Sequence, residues 1–317
     1  VIPTRAARLE RHGEPLVVEE VELSDPAPGE VVVEIAYAGV NPVDRYNALG
    51  RVAADGPLPR TLGGEGSGTR DGRAVVVGGY GLGSTRDGLW AERAVVPAGA
   101  VIEVPDGVDL ARAATAVIAG RTAWRTAVDL GGLAAGDRVL VLGASGGVGS
   151  LIVSLAHHRG ATVWGHTGDG AKAGWVRQRG ADDVVVAADG EALLTGELRE
   201  FSPTLVLDCL GAGFTGACVE AAAPAARIVL YGTSAGPRGE VPLQPFYRKG
   251  LRMLGFGGLI ETPESARAGT ERALAAMAAG ELEVVIDEIL PLAQAGEALQ
   301  RLAERQVLGK LVLDTRT

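Results

Sequence analysis

The stretch VLVLGASGGVG, residues 139–149, limits what this chain can fold into more than any other segment. Residues 139–142 are four branched apolar residues with no polar alternation, the pattern of a strand buried on both faces of a parallel sheet. A glycine-rich turn follows at once, and a helix is expected over 148–159. In that turn Ala144 takes the first glycine slot of a dinucleotide fingerprint. Gly146 lets the backbone approach a pyrophosphate, and Gly149 lets helix and strand pack closely. Ser145, Gly147 and Val148 complete the loop, and the helix start offers unpaired N–H groups and a positive dipole end to an anion. With 47 glycines in the chain, spacing alone would arise by chance; the strand, turn and helix in sequence carry the reading.

Strand-like and helix-like segments then alternate. Strands are expected at 161–167, 181–187, 203–211, 226–234 and 251–258, with helix-length segments between them, such as 171–179 and 214–223. That alternation predicts an α/β, doubly wound parallel sheet of the Rossmann type over residues 118–255, with its ligand at the carboxyl ends of the strands. Residues 1–117 differ. Short branched runs (31–40, 73–79, 91–97) separated by Gly and Pro clusters predict a mainly antiparallel β domain. Residues 256–317 read as a helix over 263–279, a strand around 284–290, a helix over 293–305 and a strand at 309–314. The last strand is expected to return to the first domain and complete it.

At 317 residues, two domains are expected. A net charge of −9, with no basic run, argues against nucleic acid or an anionic membrane as partner. No run of 18 apolar residues and no N-terminal signal pattern occur, so a cytoplasmic location is the expectation. Cys209 and Cys218 are expected as small buried hydrophobes rather than a disulfide or metal pair. The basic residues are 27 arginines and three lysines, Lys172, Lys249 and Lys310, which draws attention to the places where lysine remains.

Segments along nearly the whole chain resemble the zinc-free branch of the medium-chain dehydrogenase/reductase superfamily, the quinone oxidoreductases of the zeta-crystallin type. They are GVNPVDRY (39–46), LGGEGSG (62–68), AERAVVP (91–97), IEVPDGVD (102–109), AGRTAW (119–124), GDRVLVLGASGGVG (136–149), RGADDVV (179–185) and GKLVLD (309–314). The resemblance implies a GroES-like first domain serving catalysis, NADPH as cofactor and a homodimer. Zinc enzymes of the superfamily carry Cys where Asn41 stands and His where Gly64 stands, so the resemblance implies no metal. Two cysteines also cannot supply a four-Cys structural site. By the same resemblance Asn41 and Tyr46 lie beside the nicotinamide as catalytic and cofactor-binding residues, and Thr122 binds its carboxamide. Asp44 and Glu65 are expected as structural ion-pair partners.

Cofactor choice is read at the end of the second strand, where enzymes using NAD place a carboxylate. Here the sequence is Gly165-His166-Thr167-Gly168, with Asp169 only in the following turn. Lys172 matches the lysine that relatives use against the 2′-phosphate, with His166 and Thr167 as further donors. Gly232 and Thr233, at the end of the fifth expected strand, and Lys310 in the closing strand complete the candidate cofactor contacts. Two departures bear on substrate. The hairpin connection between Gly68 and Asp71 is cut to Thr69-Arg70, and the loop 50–56 lacks the tyrosine of enoyl-thioester reductases. The expected activity is NADPH-dependent reduction of quinones or conjugated carbonyl compounds. The alternatives are an enone or enoyl-thioester reductase in a biosynthetic pathway, or a non-enzymatic NADPH-binding protein.

Overall fold

The computed structural model describes residues 1–317 and divides into two compact units. The first comprises Val1–Arg121, Glu261–Ala278 and Val284–Thr317; the second comprises Thr122–Ile260 and Ala279–Glu283. The expected division is 1–117 with 256–317 against 118–255; Ala279–Glu283, expected with the first unit, groups with the second.

In the first unit the chain opens with β1 (Ile2–Leu9), β2 (Val17–Leu23) and β3 (Glu30–Val40). It continues with β4 (Arg60–Thr61), β5 (Glu65–Arg70), β6 (Arg73–Gly78), β7 (Arg93–Pro97) and β8 (Val101–Glu103). β5 and β6 form a hairpin closed by Asp71 and Gly72, both at positive φ (51° and 75°), the backbone that a two-residue turn between twisted strands requires. Thr69 and Arg70, expected as the shortened connection, are instead the last residues of β5, paired with Ala74 and Arg73, and the turn is Asp71-Gly72.

The second unit contributes β9 (Arg138–Val141), β10 (Thr162–Thr167), β11 (Asp183–Val186), β12 (Leu205–Asp208), β13 (Arg227–Leu230) and β14 (Arg252–Gly255). All pair in parallel, in the order β11-β10-β9-β12-β13-β14. The chain therefore builds outward from β9 in one direction and then returns to build from its other side. Such a reversal leaves a crevice at the carboxyl ends of β9 and β12. Val139, Leu140 and Val141 have no exposed surface, and Leu205, Val206 and Leu207 likewise, because helices cover both faces. Trp164 stacks on Phe201 in the same core, with ring centroids 4.4 Å apart.

The chain then returns to the first unit with β15 (Ile286–Pro291) and β16 (Lys310–Asp314). β16 pairs antiparallel with β3, joining Leu311 to Val40 and Asp314 to Tyr37. β15 adds in parallel to β16, the one parallel pairing in an otherwise antiparallel sheet. The core of this sheet includes Val33, Ile35, Val75, Val77 and Leu89 on one side and Leu9, Val40, Trp90, Leu299 and Leu311 on another. Residues 116–130 are helical but partly π-wound, over Ala116–Gly120 and Arg125–Leu130, which apolar spacing alone did not indicate.

Candidate functional site

In the second unit, β9 runs through buried Leu142 into a turn that begins at Gly143, whose φ is +64°. The Ala144 amide donates to the His166 carbonyl (2.8 Å), tying the turn to the end of β10, and the Gly146 amide closes on Gly143 O (2.9 Å). Helix Gly147–His158 starts there, twelve residues long, with Gly146 in extended backbone at its head and no side chain capping it. Its first-turn N–H groups have no acceptor within the helix. A Cβ on Gly149 would lie 2.3 Å from Gly143 O, so helix and strand meet where a side chain has no room. A Cβ on Gly146 would meet only Gly143 O, at 3.3 Å, and otherwise face open space. The turn therefore fits a dinucleotide pyrophosphate: space before Gly146, unpaired amides aimed at it, and tight packing behind it at Gly149. Ala144 is fully buried and Ser145 nearly so, which makes Ala144 a packing residue of the turn rather than a direct contact.

Two residues at the end of β12 brace the loops around this crevice: Asp208, not singled out in the sequence, and Cys209, expected as a buried small hydrophobe but only half-buried. Asp208, fully buried at the end of β12, accepts from Leu210 N (2.8 Å), Gly211 N (3.0 Å) and Thr215 Oγ1 (2.6 Å). Cys209 donates its thiol proton to Leu142 O (3.3 Å) and lies where a Cβ on Gly143 would go. A lone carboxylate ending the run LVLD was the available signal. Gly232 passes so close to the Cys209 carbonyl that a Cβ would stand 2.8 Å from it, and Thr233 is exposed just after β13.

His166 does not offer a donor to solvent. Its Nδ1 faces the Gly143 amide (3.4 Å) and its Nε2 the Ala187 carbonyl (2.9 Å), so the proton sits on Nε2 and both nitrogens are committed. The ring is 2% exposed, and burial pushes its pKa below the usual histidine range. It braces the turn instead. Thr167 is also buried, its hydroxyl turned toward Asp169 (3.3 Å). Asp169 caps the short helical turn Gly170–Lys172 by accepting from Ala171 N (2.9 Å), and Lys172 ends that turn, half-buried. Thr122, half-buried in the helical turn Arg121–Trp124, has its carbonyl bonded to Thr126 Oγ1 (2.7 Å).

In the first unit, β3 ends at Val40 and a helix, Pro42–Ala48, follows Asn41. Pro42 at its first position fixes φ and removes an N–H that would have had no partner. Asn41 is 3% exposed and its amide is fully oriented. Its Nδ2 donates to Glu65 Oε1 (2.7 Å), and its Oδ1 accepts from Lys310 Nζ (2.6 Å). Lys310 also donates to Val40 O (3.1 Å) and pairs with Glu65 Oε1 (3.2 Å), while Glu65 Oε2 accepts from Ile118 N (2.7 Å). All three protons of the Lys310 ammonium are thus committed inside the unit, and none is left for a nucleotide.

Asp44 binds the Asn41 amide (2.8 Å) and the Gly64 amide (3.1 Å) and makes no ion pair of its own, whereas Glu65 does. Burial pushes the Asp44 carboxyl up to about 7, and the nearby Glu65 charge pushes the same way; the two amide bonds and Lys310 oppose. Tyr46 lies on the helix Pro42–Ala48, half-buried. The positions that resemblance gives to zinc ligands carry an amide and a glycine here, and no three His, Cys, Asp or Glu side chains come together in a metal-holding group.

A family model described as zinc-binding dehydrogenase matches residues 179–313, a segment without a single histidine. Along the full length, a quinone oxidoreductase of Pseudomonas aeruginosa is 27% identical over 315 residues, covering 95% of this chain and 97% of that protein. In sequence over nearly its whole length, the chain is similar to the quinone oxidoreductase branch of the medium-chain dehydrogenase/reductase superfamily. Among solved structures of this superfamily's fold, AibC superposes with a TM-score of 0.87 at 26% identity, covering 98% of this chain and 96% of that one. A mycobacterial protein solved in complex with NADPH gives 0.84, also at 26%, covering 98% and 99%. As in that branch, the sheet order and glycine turn form a nicotinamide dinucleotide-binding unit, and no helix is long and apolar enough to cross a membrane.

Proposed function

We propose that this oxidoreductase uses NADPH to reduce quinones or conjugated carbonyl compounds by zinc-independent hydride transfer. The observation that carries the reading is the oriented amide of Asn41, which keeps one N–H proton uncommitted where zinc relatives have a metal ligand. Bound reduced nicotinamide supplies the hydride. The residues of the chain do the rest: Gly146 and the first turn of Gly147–His158 hold the pyrophosphate, and Thr122 orients the carboxamide. Asn41 and Tyr46 donate hydrogen bonds toward the oxygen on which negative charge develops. Hydrogen-bond donors polarise less strongly than a Lewis-acid metal, so the acceptor has to be electron-poor already. Quinones and enones meet that condition; saturated ketones do not.

Preference for NADPH over NADH rests on the turn after β10. Asp169, the nearest carboxylate, already caps that turn and Lys172 ends it, which supports reading Lys172 as the cation that meets a 2′-phosphate. The test is NADPH oxidation against a panel of quinones, enones, acyl thioesters and saturated ketones. The reading expects turnover with quinones or enones and little with saturated ketones. Activity confined to acyl thioesters would favour a biosynthetic reductase. Tight NADPH binding without turnover on any of them would favour the non-enzymatic alternative.

A further inference from the structure

We propose that Lys310 is a positioning residue for the reduction: with Glu65 it fixes which way the Asn41 amide points. The inference rests on the reading of Asn41 as donor to the acceptor oxygen. An Asn side chain has two nearly isosteric orientations, one presenting its oxygen and the other its NH2 in a given direction. An ammonium has only donors, so the Asn41 atom 2.6 Å from Lys310 Nζ is the oxygen. A carboxylate has only acceptors, so the atom 2.7 Å from Glu65 Oε1 is the nitrogen. Each partner excludes the flipped amide independently, and together they leave one N–H proton with a defined direction.

The partners are themselves held. Glu65 Oε2 is anchored by the Ile118 amide, and Lys310 is tied by the Val40 carbonyl at the end of the strand leading into Asn41. Glu65 is fully buried and Lys310 4% exposed. A buried ion pair of this kind seldom stabilises a fold beyond what apolar side chains of like volume would. The direction it imposes on Asn41 accounts for its presence better than stability does. Lys310 reaches the site because β16 pairs with β3 in antiparallel register, setting Leu311 against Val40.

The test is a mutant cycle read in kcat, NADPH dissociation constant and thermal melting. Lys310→Met alone would strand the Glu65 charge and endanger folding, so the working variant is Lys310→Met/Glu65→Gln, which removes both charges together. It is measured in the native background and in Asn41→Ala. The expected result is a fall in kcat of roughly tenfold or more with native Asn41, as a misdirected group typically costs, and less than about twofold in Asn41→Ala, since contacting residues are not additive. In each background, NADPH binding with the two charges removed should stay within about twofold of that background's own value. Should the double variant melt far below the native protein, Lys310→Gln/Glu65→Gln replaces it. That pair keeps a neutral donor at position 310, and its smaller loss should again be confined to native Asn41. Equal fold-losses in both backgrounds, or no loss in either, overturn the positioning role. If Asn41→Ala alone turns over at the native rate, the reading of Asn41 as a donor fails and takes this inference with it. If Asn41→Ala is slow and the charge-free variants are not, only the inference fails.

Discussion

Gly146 and Gly149 belong to one turn, yet substituting each with alanine should do different things. At Gly149 the new Cβ would stand 2.3 Å from Gly143 O and 2.9 Å from Ala144 Cα, both backbone atoms of the turn itself. Neither can swing aside as a side chain tip would, so the helix must move off the strand. Overpacking of this kind costs about 1–3 kcal/mol, and at about 2–4 °C per kcal/mol for a large domain the melting temperature should fall by several degrees. At Gly146 the backbone is extended, with φ −86° and ψ 175°, and the only neighbour within reach is Gly143 O at 3.3 Å. Alanine there should change stability by no more than about 0.5 kcal/mol. The methyl would nevertheless occupy the space that a pyrophosphate needs, so NADPH affinity should drop by at least about tenfold, or ~1.4 kcal/mol. Thermal melting without cofactor and fluorescence titration with NADPH separate the two effects. Gly146→Ala binding NADPH as the native protein does would refute the assignment of the phosphate to this turn. Equal melting of Gly149→Ala and native protein would refute the packing argument.

Three further outcomes are expected. Lys172→Ala should weaken NADPH binding by roughly tenfold while leaving NADH nearly unchanged, the effect of losing one charge-assisted contact; equal losses by titration would make the lysine structural. Asp44, raised to about 7 by burial, holds a proton that the unfolded chain releases at ordinary carboxylate pH. The unfolded state therefore binds fewer protons between about pH 4 and pH 7, and stability should fall as pH rises through that window. Urea unfolding of Asp44→Asn beside the native protein at pH 5 and pH 8 checks this, since the variant should lose less over the interval. Finally, β14 ends the parallel sheet with its outer edge unpaired, and light scattering should show a homodimer; a monomer at every concentration would contradict it.

The parts of the fold set by local pattern were legible beforehand. The buried run at 139–142 contains most of β9, the glycine turn leads into helix Gly147–His158, and the five later strands of the parallel sheet lie inside the segments expected for them. Less was visible where structure depends on partners far along the chain. β1 and β2 alternate only loosely, and their pairing rests on a register that no short window contains. The parallel joining of β15 to β16 follows from where the chain returns, not from the composition of either strand. His166 looked like a phosphate donor because its position after the glycine motif is the only thing the sequence shows. Its commitment to Gly143 and Ala187 comes from folding three strands together. Lys310 is the plainest case: a lysine in a closing strand reads as a cofactor contact, whereas its partners Asn41 and Glu65 lie 269 and 245 residues away.

The central claim is hydride transfer to an electron-poor acceptor without zinc, and isotope transfer tests it most directly. Protein stripped by a chelator and assayed for metal is given NADPH deuterated at the transferring position of the nicotinamide, together with a conjugated enone. The account predicts an unchanged rate after chelation and deuterium on the β-carbon of the reduced product. A stoichiometric zinc whose removal abolishes turnover, or a reduced product without the label, would contradict it.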